Sequence, residues 1–257
     1  MKYCDNLLLG LHNSLIYRAN FVISLLARLL QVGLSLLMWR ALYSESGQSM
    51  IHGYSQTSMM LYLMLTGLLS LIFTFEPLFR LARLIKSGKI STLLLRPINL
   101  NLESLSNFLG AKLILLGLLA LLLVCLTWGH WFLMVLILTY AFISVVVWQQ
   151  IMFLFGTLAF WLVQMWPLRP LLTALYLFSG GLLFPLDVLP VWAYQGLRFS
   201  PLALVSSDLV QSVLRGVHDP QLVLLYLVMT FLWLLGLAGL ERLLFQSGLQ
   251  QFEGVGV

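Results

Sequence analysis

Residue types that could carry chemistry are sparse here, and their spacing assembles no reactive set. The four histidines, His12, His52, His130 and His218, stand far apart. None falls in an H-E-x-x-H spacing, which would aim two imidazoles from one helix face at zinc. No G-x-S-x-G turn presents a serine nucleophile. Ser87-Gly88-Lys89-Ile90 carries the Gly-Lys pair of a phosphate loop, but the upstream glycine is missing. Ile90 also stands where a Ser or Thr would hold magnesium. The expectation is a chain with no catalytic residues, no metal and no cofactor of its own. Cys4 and Cys125 are expected in a tail and in a membrane span, with no disulfide between them.

Three other groups of residues suggest binding or transport. The first is basic: Arg80, Arg83, Lys86, Lys89 and Arg96 crowd into the most polar part of the chain, Glu76 to Asn107. Leu78, Leu81, Ala82 and Ile85 recur at i, i+3, i+4 and i+7, with Arg80, Arg83 and Ser87 opposite. Gly88 can end that helix in a left-handed cap. Ile90 to Leu95 forms a second short apolar piece, stopped by Arg96-Pro97. The product is an elbow with one greasy and one basic face, suited to anionic lipid headgroups or to a partner protein.

The second group is Ser179 to Tyr194, SGGLLFPLDVLPVWAY. Gly180 and Gly181 permit sharp bends, and regular helix cannot continue through Pro185 and Pro190. Asp187 lies between the prolines. Irregular backbone at membrane depth survives only when buried in protein or lining a wet cavity. A re-entrant hairpin fits, and so does an outer loop anchored by Trp192 and Tyr194. The third group is Gln31, Tyr140, Ser144, Gln149, Gln150 and Gln164, polar residues inside apolar stretches. Such groups bond across helices or line a path; Gln149, Gln150 and Tyr140 are the path-lining candidates.

The elements that must position these groups are membrane helices. Hydrophobic residues make up 61% and charged residues 9% of the 257 positions, whereas a soluble domain averages about 25% charged residues. Apolar stretches of about 20 residues, a bilayer's span, recur, and runs such as Leu113 to Leu126 lack the alternation of a β-barrel strand. Six spans are expected, roughly 21–43, 59–75, 108–128, 131–163, 171–186 and 222–244, all in one transmembrane domain, 1–257. Leu7, Leu8, Leu11 and Leu15 share one face of a short interfacial helix before the first span. The apolar stretch Leu7 to Leu11 is cut short by His12 and Asn13, with no small-residue cleavage site following, so no removable signal peptide is expected. The fourth stretch, Trp131 to Trp166, is read as one long helix ended by Pro167 and Pro170, because Gln149-Gln150 offers no turn.

Charge distribution sets the orientation. With the N-terminus inside, the inner side receives Lys2, Arg18, Arg80, Arg83, Lys86, Lys89, Arg96, Lys112, Arg169 and Arg242, with Arg28 snorkelling there. The outer side receives Arg40, Arg198 and Arg215. Both termini are therefore expected in the cytoplasm. The formal charge of +5 is explained by this asymmetry, and no nucleic acid partner is expected.

Two segments resemble a known family. LIKSGKISTLLLRPIN (Leu84 to Asn99) and SGGLLFPLDVLP (Ser179 to Pro190) are similar to the permease subunits of bacterial type-2 ABC exporters, with weaker similarity over Met38 to Ser55. The resemblance implies a six-span half-transporter in the bacterial inner membrane, dimerising with an identical or homologous chain. It implies two ATPase subunits, holding ATP and magnesium, on the cytoplasmic elbow of Arg80, Arg83, Lys86, Ser87, Gly88, Lys89, Arg96 and Pro97. It also implies a re-entrant hairpin carrying Gly180, Gly181, Pro185, Asp187 and Pro190. Export would proceed by alternating access, with peptide, lipid and antibiotic all open as substrate. The competing expectations are a scaffold or immunity protein whose elbow merely docks a partner, and a membrane-embedded enzyme.

Overall fold

Leucine-rich runs can satisfy their backbone polar groups in an apolar medium only as helices or closed barrels, and without alternation the helix is what remains. The computed structural model describes residues 2–16, 18–95, 99–162, 164–217 and 219–252. Its elements are α1 (Lys2–Ile16), α2 (Arg18–Ser46), β1 (Met50–Ile51), β2 (Tyr54–Ser55), α3 (Gln56–Ile72), α4 (Glu76–Lys86), α5 (Ile90–Leu94) and α6 (Leu100–Leu126). There follow α7 (Trp131–Thr157), α8 (Leu168–Ser179), α9 (Val191–Leu197), α10 (Pro201–Val205), α11 (Ser207–Arg215) and α12 (Pro220–Gln251). Among the described residues, five helical segments are long and apolar enough to cross a membrane: Val22–Ser46, Gln56–Lys86, Leu100–Leu126, Trp131–Phe160 and Pro220–Gln251.

The expected span at 171–186 takes a different form. Its helix, α8, has 12 residues, or about 18 Å of rise, well short of a hydrocarbon core of about 30 Å. Gly180-Gly181 ends it. The chain nevertheless runs from one end of the bundle to the other between Trp166 and Asp187. Trp166 stacks on Phe79 of α4 at 6.0 Å, and Asp187 accepts from Tyr54 of the β-hairpin. This crossing is a broken one, finished by non-helical backbone.

The fourth stretch is a single helix through Gln149 and Gln150, as its lack of a turn signal predicts. It stops earlier than expected. α7 ends at Thr157 and tightens into a 3-10 turn at Leu158–Phe160, so Pro167 and Pro170 do not terminate it. Instead Pro167 precedes the first turn of α8 and Pro170 lies within that turn, where a missing N–H costs nothing. Gln164 consequently lies outside any helix and is exposed.

α7 is the central post, packing against α4, α6, α10, α11 and α12. α2 is peripheral: it packs on α3 and leaves Leu26, Leu30, Leu34 and Leu37 exposed along one stripe. The N-terminal helix is anchored on the bundle. α1 packs along α6, so closely that a Cβ on Gly10 or Gly110 would overlap backbone of the other helix. Among its residues of described burial, Gly10 is buried and Leu7 and Leu11 are partly covered, whereas Leu8, expected on the same face, is exposed.

Candidate functional site

The elbow begins where α3 ends. α4 has Glu76 and Pro77 in its first turn and Arg83 and Lys86 in its last, an order that suits both the missing proline N–H and the helix dipole. Leu78, Leu81, Ala82 and Ile85 are all buried, so the apolar stripe docks as its spacing predicts. It docks on the end of α7, where a Cβ on Gly156 would stand 3.0 Å from Leu81 Cδ2. Gly88 adopts φ +69, the left-handed cap, and its N–H donates to the Ile85 carbonyl at 3.1 Å. After this turn α5 buries Ile90 completely. A ring cluster of Phe153, Phe160, Phe245 and Phe252 gathers at the same end of the bundle.

The basic residues divide into two kinds. Arg80 is partly buried and forms an ion pair with Glu103 in the first turn of α6, so it ties elements together. Arg83, Lys86, Ser87 and Lys89 are exposed. With Arg80 and Leu84 they line an open groove of about 530 Å³. A rigid surface carrying one sign of charge attracts acidic protein or anionic headgroups. Arg96 and Pro97 lie outside the described residues.

At the opposite end, His52 and Gly53 take φ +47 and +81 and turn β1 into β2, a hairpin whose register pairs Met50 with Ser55. The sequence reading missed it. It delivers Tyr54 to Asp187, whose two carboxylate oxygens each accept from the phenol at 3.1 Å. Arg215 at the end of α11 pairs with Asp187 Oδ2 at 2.8 Å and lies over the Tyr54 ring at 4.8 Å. Burial, and then the neighbouring Asp187 charge, push the Tyr54 phenol well above its usual range, so it remains a donor at physiological pH. Among the glycine–proline residues, Gly180, Gly181 and Pro185 are buried, Asp187 is partly covered and Pro190 is exposed.

Gly181 belongs to the interior and is brought beside α11. Its φ is +67, and a Cβ there would stand 2.7 Å from the Tyr62 hydroxyl and 2.8 Å from Ser207 Cβ. The Tyr62 hydroxyl donates to the Gly181 carbonyl at 2.6 Å, and Ser206 Oγ donates to the Gly180 carbonyl at 2.6 Å. These bonds satisfy carbonyls that no helix uses. The turn between α10 and α11 is thereby clamped to the end of α8, and every residue from Ala203 to Val213 is buried. Irregular backbone is thus fully buried at Ser206 as well, beyond the glycine–proline segment.

Inside that turn is a residue the sequence reading did not single out. Asp208 is 1% exposed and its Oδ2 has no hydrogen-bond partner among the described residues. One turn along, Gln211 Nε2 is likewise unpaired. Ser-Ser-Asp ordinarily marks an exposed helix start, and nothing local reveals that α3, α7 and α12 will close over it. A helix N-terminus favours an anion by up to about 2 kcal/mol, whereas burying an ionised carboxylate costs several kcal/mol. Burial therefore dominates at Asp208.

The three path-lining candidates are buried within the bundle. Tyr140 is completely buried and donates to the Leu204 carbonyl at 2.5 Å. Gln149, also completely buried, donates through Nε2 to Ser104 Oγ at 2.8 Å. Gln150 is buried with Oε1 unpaired. Tyr140 and Gln149 hold α7 to its neighbours, and Gln31 accepts from Arg28 within α2 at 2.8 Å.

Long apolar helices packed around a central one, with a broken crossing and buried irregular backbone, define a multi-pass α-helical membrane protein. Residues 29–256 match the family described as ABC-2 family transporter protein, and the chain belongs to that family. It is a membrane component of an ABC-2 transporter. Comparisons with curated proteins and with solved structures return no match.

Proposed function

We propose that this chain is the permease half of a bacterial inner-membrane exporter, which pairs with an identical or homologous chain around an outward translocation path. Two ABC ATPase subunits, holding ATP and magnesium, dock from the cytoplasm on the α4–α5 elbow. The observation that carries this reading is the construction of the elbow. Its apolar stripe is seated on α7, its bend depends on a left-handed Gly88, and its cations Arg83, Lys86 and Lys89 are exposed. An anchor for lipid headgroups needs charge alone, whereas a lever must be stiff.

ATP closure of the ATPase pair moves the elbows, α4 carries that motion to α7, and the inner mouth of the dimer closes as the outer one opens. Nucleotide drives the cycle only through its different affinity for the two states. The α8–α11 region, with Gly180, Gly181, Pro185, Asp187 and Pro190 at its start, forms the re-entrant outer gate. Both termini lie in the cytoplasm.

Gly88→Val tests the elbow. A β-branched side chain at a left-handed position is a strained outlier, while every elbow charge is kept. The variant is expected to insert in the membrane and co-purify with ATPase, yet lose transport-coupled ATP hydrolysis in reconstituted vesicles. Normal coupling in that variant would return the elbow to the role of an anchor.

A further inference from the structure

The buried turn between α10 and α11 holds more polar chemistry than its packing requires. Asp208 Oδ2, Gln211 Nε2 and Arg198 Nε are all buried without hydrogen-bond partners among the described residues. Asp208 and Gln211 stand three residues apart on α11, hence on one face. The groups that act on the Asp208 carboxyl come from every side. Arg198, just after α9, favours its charged form, and Asp187, in the 3-10 turn Leu186–Val188, opposes it. The phenols of Tyr62 on α3, Tyr140 on α7 and Tyr226 on α12 feel the same carboxyl. Arg198 is engaged with the Tyr194 and Phe199 rings, at 5.8 and 5.0 Å, and makes no ion pair with Asp208 among the described residues.

A buried carboxyl with no paired cation and an unpaired oxygen can avoid its desolvation penalty by taking up a proton. We propose that Asp208 is a proton-binding site of the outer gate, its carboxyl neutral while the α10–α11 turn is docked. The proton is taken from the outer aqueous phase as the turn docks and returns there as hydronium when the turn lifts. The carboxylate left behind is then stabilised by water and by Arg198. This binding makes the docked state pH-sensitive and moves no net charge across the membrane. α11 lies outside the five long apolar helices, and burial pushes the Asp208 carboxyl up to about 8.

The site itself is tested on the purified chain, with no ATPase present. At neutral pH the infrared difference between wild type and Asp208→Asn is expected to contain a protonated-carboxyl stretch that shifts in heavy water. The subtraction cancels the contribution of the other buried carboxyls, Glu103 and Glu241. In the docked state the raised value means that protons bind more tightly than in the unfolded chain. The stabilisation is therefore complete below about pH 4 and lost as pH rises through about 8. The melting temperature of the wild type should accordingly fall over that window, while the uncharged, equal-sized Asp208→Asn variant stays flatter and melts higher at the alkaline end.

Absence of that band from the difference between the two folded proteins would overturn the proposal. So would sodium ions raising the wild-type melting temperature at neutral pH but not that of Asp208→Asn, since the ligand would then be a metal cation. The gating role rests on the permease reading. It predicts that the alkaline fall in coupled ATP hydrolysis by the wild-type complex is absent with Asp208→Asn. An unchanged pH profile alongside a present infrared band would overturn the gating role alone, and failure to bind an ATPase would leave the infrared result standing.

Discussion

Tyr54, Asp187 and Arg215 come from three separated stretches of sequence and meet at one point on the hairpin end of the bundle. A carboxylate receiving a phenol and a guanidinium has two charge-assisted partners, each stronger than a neutral hydrogen bond. The Arg215 and Asp187 side chains are 41% and 19% exposed, so solvent screening discounts the pair. Asp187→Ala is expected to cost about 1–2 kcal/mol, between the value of an exposed ion pair and that of buried charged hydrogen bonds. Asp187→Asn, which keeps an acceptor for Tyr54, should cost less. Unfolding followed by tryptophan fluorescence in detergent checks both. Wild-type stability in Asp187→Ala would mean that the cluster does not hold the broken crossing in place.

At the scale of elements, the amino-acid pattern was most legible where one helix face decides everything. The stripe from Leu78 to Ile85 predicts which side of α4 is buried, and Gly88 predicts the left-handed cap; both follow from local geometry. The long apolar runs likewise announce the five long helices. The fifth crossing was not legible in form, because hydropathy cannot separate a span from a short helix followed by buried irregular backbone. Gly181 needs Tyr62 and Ser207 beside it to show why no side chain fits, and those contacts are far apart in sequence. Asp208 was hidden for the same reason, since its polar neighbours advertise a surface helix start. The sides proposed for the elements rest on lysine and arginine asymmetry. A cysteine placed at Gln48, beside the β-hairpin, should react with a membrane-impermeant thiol reagent in intact cells. One placed at Ser91 in α5 should react only after the membrane is opened. Ser91 labelling from outside would invert the arrangement.

For the whole molecule, the two ends of the bundle are built differently. One end carries exposed cations on a stiff elbow backed by Phe153, Phe160, Phe245 and Phe252, and the other carries the Tyr54–Asp187–Arg215 cluster and the buried α10–α11 turn. α7 runs between them, touching α4 near one end and α10 and α11 toward the other, so a push on the elbow has a continuous helix to travel along. Its two ends are held by contacts of different kinds, apolar at Gly156 and hydrogen-bonded at Tyr140. α2 leaves its leucine stripe to lipid or to a second chain. As proposed, this bundle is half of a two-fold permease driven from its elbow end by separate ATPases. The chain should be co-expressed with a candidate ABC ATPase from the same genome, purified in native lipid, and weighed intact while its ATP hydrolysis is followed. Two permease chains with two ATPase chains are expected, with hydrolysis that requires the ATPase subunits and none from the permease alone. A chain that stays free of ATPase under those conditions, or that transports substrate as an isolated monomer, would contradict it.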